Sequence, residues 1–151
     1  MKIKLFQADA FTSKLFGGNP AAVCPLEEWL RDAVMQDIAM ENNLAETAFL
    51  VASTKEPVGG REAQQPNFHI RWFTPVAEVD LCGHATLAAA HILFEQLGFP
   101  GNEIAFSSRS GILKVRRTGK ELTLDFPADM PEKVDILDFL EKAFHISPLE
   151  I

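Results

Sequence analysis

Apolar and polar positions alternate at the start of the chain, "KIKLFQADAF", which predicts a first strand with a polar break at Gln7-Ala8-Asp9. "TSKLFGGNP" follows as a loop, because Gly17, Gly18, Asn19 and Pro20 all favour turns. "AAVC", Ala21–Cys24, then predicts a short buried strand. From Leu26 to about Glu41 the spacing changes. Leu30, Val34, Met35 and Ile38 recur at helical intervals among Glu28, Arg31, Asp32 and Gln36, so a surface helix is expected. The chain leaves it through Asn42 and Asn43 and enters a strand near Thr47. "STKEPVGGREAQQPN" has the composition of a surface loop, and "FHIRWF" alternates like a strand before the turn-forming "TP".

A second helix is predicted from about Gly83 to Leu97, ending at Gly98 with Pro100 just beyond. "ATLAAAHILFEQL" is apolar on nearly every side until Glu95, the mark of a buried helix. Three strands follow, "EIAFSS", "ILKVRR" and "ELTLDF", separated by turn signals that include Thr118-Gly119. The tail carries a short amphipathic helix, "VDILDFLEKAFHI". Strict β-α-β alternation is missing, so a doubly wound fold is not expected. The pattern predicts an α+β fold: a strongly curved mixed sheet wrapped around one buried helix.

Composition narrows the possible roles. A chain of 151 residues with 47% hydrophobic content can bury the core of one ordinary domain. Twelve Phe and no Tyr indicate aromatic residues used as core. A net charge of −7 argues against a nucleic-acid surface, which needs a basic stripe. No apolar run approaches the ~20 residues that cross a bilayer, and no membrane partner is expected. The first segment turns polar after six residues, unlike a signal peptide. Two cysteines make no disulfide framework, so both are expected reduced in a cytoplasmic protein.

The candidate chemistry begins with Cys82-Gly83-His84 at the entry to the buried helix. A first helical turn leaves N–H groups unpaired, and with the helix dipole they suit a small carboxylate. Gly83 would let backbone come close to such a group, with His84 and Cys82 beside it. The alternative is that His84 and Cys82 merely begin a helix. Zinc is poorly supported by the spacing, since Cys-x-His gives two ligands and no second cluster is visible. Glu46 stands between a helix exit and an apolar strand, where a charge is costly unless paired or useful. A carboxylate so placed could serve as a general acid–base, whereas Glu78 and Asp80 are expected to be exposed in their loop. Asn19, in "GGNPAAV", could orient a substrate or only shape its turn.

Three segments occur in a fixed order: "DAFT…FGGNPAAV", "ENNLAETAF" and "RWFTPVAEVDLCGHATLA". Together they resemble the N-terminal half of the phenazine-biosynthesis isomerase (PhzF-like) family, specifically from about Phe6 to Leu97 and more loosely to about Pro127. The resemblance implies a fold like that of diaminopimelate epimerase, with two pseudo-symmetric halves and a site between them. It implies proton transfer by a glutamate, here Glu46, on a small carboxylic acid, with no metal and no organic cofactor. His84 matches the family's "GH" histidine, and the helix start at Gly83–Ala85 looks like half of its carboxylate cradle. Residues 1–128 would form the N-terminal domain and 129–151 a connecting helix or linker toward a second half. A homodimer is expected of the full-length form. Two other functions stay open: a cysteine-dependent racemase or epimerase using Cys82, and a non-catalytic binding module. Specificity would lie in loops such as Ser53–Pro66 and in the second half.

Overall fold

A computed structural model describes residues 2–53 and 67–128, together with Met130, Glu132, Lys142, Ala143 and His145. The expected loop after Ser53 therefore lies almost wholly outside the described residues. So does the tail helix, except that Lys142 and Ala143 are helical.

The described elements are β1 (Phe6–Ala10), β2 (Asn19–Leu26), α1 (Asp32–Asn42), β3 (Glu46–Ala52) and β4 (Phe68–Phe73). They continue with β5 (Glu78–Val79), α2 (Gly83–Glu95), β6 (Glu103–Ser108), β7 (Gly111–Thr118) and β8 (Glu121–Asp125). The strands form one mixed sheet in the order β1-β2-β3-β4-β6-β7-β8, with β5 added to β4. The pairs β2–β3 and β4–β6 are parallel and the rest antiparallel. Both parallel pairs need crossovers, and the two helices supply them: α1 joins β2 to β3, and α2 lies between β4 and β6.

Period-two alternation gives the sheet two apolar faces. Ala21, Val23, Ala48, Leu50, Ile70 and Trp72 point to α2, joined by Ile104, Phe106, Leu113 and Val115. Cys24, Phe49 and Phe73 point the other way, where Met35 and Ala39 of α1 cover them. The Ala-rich helix suits its place. Ala85, Ala88, Ala89 and Ala90 are all buried, and their small side chains let the strands of a curled sheet approach from several directions. Edge strands β1 and β8 both reach α2, so the expected wrapped helix is what the chain builds. The two edges do not pair, and a groove of about 880 Å³ runs between them over Leu87, His91 and Ile92.

β1 runs unbroken through Gln7-Ala8-Asp9, α2 stops two residues short of Leu97, and the stretch around β2 differs most from the sequence reading. β2 begins at Asn19 and runs to Leu26, through two prolines. Pro25 is tolerated because β1 pairs only with Asn19 to Val23, leaving that side of Pro25 without a ladder. The surface helix consequently starts later, at Asp32, and ends at Asn43, whose left-handed φ of 49° caps it with an N–H bond to the Ala39 carbonyl. Gly18, at φ 73°, turns the chain into β2; a Cβ there would collide with the Ala10 carbonyl.

Candidate active site

Register places the candidate acid. β2 and β3 run parallel with Ala21 beside Glu46, so both side chains share a face. Ala21, Ala48 and Leu50 line the α2 side, and the same alternation turns Glu46 toward the start of α2. Asn19 precedes Ala21 by two residues and belongs to that face, about 8 Å from Glu46 by strand dimensions.

The helix supplies the other groups. Cys82 is the N-cap of α2 with extended backbone (φ −146°, ψ 117°). The Thr86 hydroxyl donates to its carbonyl. Cys82 Sγ lies 3.4 Å from His84 Nδ1, and His84 Nε2 lies 3.1 Å from Glu46 Oε2. A carboxylate, an imidazole and a thiol thus form one chain of contacts, with side-chain exposures of only 19% for Glu46 and 9% for His84. Although 3.1 Å is within reach, the two atoms are poorly aligned. Oε2 and Nε2 are both buried and lack a hydrogen-bond partner among the described residues.

A helix N-terminus favours thiolate, and the N–H groups of Ala85 and His84 do pull Cys82 in that direction. Burial is stronger, and the Glu46 carboxylate adds to it, so the thiol is pushed up to about 11. The resting side chain is therefore a protonated thiol. Cys24 sits on the opposite face of the sheet, fully buried and pushed by burial up to about 12. Both cysteines are free.

The helix start is less open than the sequence suggested. Ala85 is fully buried, with its N–H turned to Cys82. What comes close to Gly83 is Phe126, just after β8: a Cβ on Gly83 would meet the ring at 3.0 Å. Sequence reasoning missed Phe126, whose only signal was an aromatic residue closing "ELTLDF". Glu78 is not exposed as expected either. It is 13% exposed and held by Arg71 at 2.6 and 2.7 Å and by Arg109 at 2.7 Å. That network belongs to the outer face, where Arg71 also binds Asp32 of α1 at 2.9 Å. Asp80 is exposed, with Arg109 at 3.4 Å. The large groove between β1 and β8 contains none of Asn19, Glu46, Cys82 or His84.

Exposed apolar residues occur on the segments leading into the site. Leu15 and Phe16 stand in solvent before Gly17-Gly18-Asn19, and Leu81 precedes Cys82.

The structure is thus a curled α+β sheet around one helix, with a buried acid–imidazole–thiol group at that helix's start. The family model for phenazine biosynthesis-like proteins matches residues 8–138, and the chain belongs to that family. It is 49% identical over 151 residues to an uncharacterized isomerase of Pseudomonas aeruginosa, covering all of this chain and 54% of that protein. In fold it is similar to a PhzF-family phenazine biosynthesis protein from Enterococcus faecalis. There the TM-score is 0.82 at 45% identity, over 99% of this chain and 54% of the other. A predicted epimerase from Pseudomonas aeruginosa superimposes with TM-score 0.62 at 28% identity, over 80% of this chain and 41% of its own. The fold is thus the epimerase-like one of this family. The chain spans about half the length of the relatives it matches.

Proposed function

We propose that this chain carries one wall of the active site of a PhzF-like isomerase, with Glu46 as the proton carrier. The observation that carries the reading is the buried, misaligned contact between Glu46 Oε2 and His84 Nε2, 3.1 Å apart. A purely structural acid would be expected to have its bonds completed. This carboxylate keeps an oxygen free for a third group.

In the proposed reaction Glu46 accepts a proton from a carbon of a small carboxylic acid. The electron pair of the broken C–H bond shifts along the substrate, and Glu46 returns the proton to another carbon. Nothing is oxidised or reduced. His84 orients Glu46 and faces the substrate acid, Gly83 and Asn19 contribute polar contacts, and a second half of the protein provides the opposite wall. The cysteine-dependent reading needs a second thiol from the other half, with one of the two as thiolate, and burial together with the Glu46 carboxylate opposes the thiolate at Cys82.

The test is exchange of solvent deuterium into a panel of carboxylic acids. It would use a chimera joining residues 1–151 to the second half of the 49% identical relative. Glu46→Gln keeps size and should cost ~10²–10⁴ in rate. Exchange near the unsubstituted level would overturn the assignment. Residues 1–151 alone should be inert, and activity equal to the chimera's would refute the two-wall reading.

A further inference from the structure

The spacing Cys-x-His offers only two metal ligands, but the fold brings a third from β3. Glu46, Cys82 and His84 place one ligand atom each within 4.8 Å of one another. Among the described residues this is the one such group of three. We propose that these three side chains form a capture site for a zinc-like divalent cation, which would immobilise Glu46 and block proton transfer reversibly. The binding site itself rests on geometry. Its inhibitory consequence rests on the function proposed above.

Three observations support it. A thiolate, an imidazole and a carboxylate are the donor types zinc takes, and three protein ligands leave a fourth position open. Tetrahedral coordination needs ligand atoms about 3.3–3.6 Å apart, from bond lengths near 2.0–2.3 Å. Cys82 Sγ and His84 Nδ1 are already 3.4 Å apart, and the flexible stem of Glu46 can move its oxygen along the ring edge from Nε2. Finally, His84 is over nine-tenths buried and its Nε2 has no aligned partner among the described residues, as is true of Glu46 Oε2. Two unpaired buried polar atoms facing each other are what a bound cation would satisfy.

The step is balanced by one proton. The Cys82 thiol releases H⁺ to solvent as its sulfur takes the cation, while Glu46 binds as carboxylate and His84 through one neutral nitrogen. Affinity should therefore rise about tenfold per pH unit while the thiol stays protonated in the free protein. The other described histidines, His69, His91 and His145, are exposed and would bind without a thiolate signature.

Cobalt(II) is the probe, titrated into the 151-residue chain and read by its thiolate charge-transfer band in the near ultraviolet. One ion per chain with that band is expected. Cys82→Ser should abolish the band and Cys24→Ser should retain it. Glu46→Gln should keep the band with affinity at least ~10-fold weaker, as loss of a ligand matters no less than loss of a supporting partner. No band in the folded chain, or a band surviving in Cys82→Ser, would overturn the site. If Cys82→Ser fails to fold, unchanged affinity in Glu46→Gln overturns it instead. Because the readout needs no turnover, the two proposals fail separately. Cobalt binding with intact exchange in the Glu46→Gln chimera sinks only the proton carrier, whereas lost exchange without cobalt binding sinks only the metal site.

Discussion

The thiol of Cys82 offers a direct probe of the site, because its behaviour depends on the neighbours assigned to it. At pH 8 an ordinary thiol of pKa 9.0 is roughly one-tenth thiolate, while one near 11 is roughly one-thousandth. Alkylation by iodoacetamide should therefore run about 10²-fold slower than for an exposed thiol from ionisation alone. The 6% exposure of Cys82 slows it further. Cys24, near 12 and fully buried, should react about tenfold more slowly again, and it serves as the internal control for unfolding. The rate at Cys82 should climb tenfold per pH unit with no plateau before about 11. Since the Glu46 carboxylate adds to burial in holding the thiol proton, Glu46→Gln should accelerate labelling of Cys82 and leave Cys24 unchanged. Mass spectrometry of labelled peptides from pH 7 to 10 reads both sites at once. A plateau below pH 9, or no acceleration in Glu46→Gln, would show that Glu46 does not act on Cys82 as the structure places it.

Two further predictions concern stability. Both thiols hold their protons more tightly folded than unfolded, so stability is fully present below pH 9 and falls as pH rises toward 11 and 12. The sign is negative because the unfolded chain binds fewer protons there. The slope should approach about 1.4 kcal/mol per pH unit for each thiol, and denaturant melts of the Cys24→Ala and Cys82→Ala variants should show it reduced. With no Tyr in the chain, no phenol titrates in that range. Gly83→Ala should gain helix propensity worth up to about 1 kcal/mol but force the Phe126 ring aside. The substitution should thus stabilise the chain more in a Phe126→Ala background than alone, and strict additivity in thermal melts would refute the contact.

Much of this was legible in the chain because local chemistry and global fold agreed. The alanine-rich run from Ala85 declared itself buried, and a sheet wrapped around the helix covers most of its sides. The start of β2 was misread because Asn19 and Pro20 carry turn chemistry, which pairing with β1 overrides. The contact between Glu46 and His84 could not be read from spacing. It arises because β2 and β3 are parallel, a relation no local pattern encodes, and only the ordered motifs hinted that the two belonged together. The state of the Cys82 thiol was illegible for a different reason. A helix start and a buried pocket act on it in opposite directions, and sequence shows the first but not the second.

Two acidic residues of this chain show how a carboxylate with completed bonds differs from one proposed to carry a proton. Glu78 is the more deeply placed, at 13% exposure, yet both oxygens are engaged by the guanidinium of Arg71, and Arg109 adds a third bond. Such bidentate pairing is what an acid needs in order to stay charged and still. Glu46 is nearly as enclosed, but the imidazole 3.1 Å from its Oε2 meets it out of line. No guanidinium reaches it among the described ion pairs, and its carboxylate instead adds to burial in keeping a thiol protonated. Leaving a buried polar atom unsatisfied costs roughly 1–3 kcal/mol, and the site holds two. A fold that satisfies Glu78 so fully can complete the bonds of a buried acid. That it does not do so at Glu46 is the physical reason for proposing the chemistry there, since an oxygen without a fixed partner is free to meet a substrate.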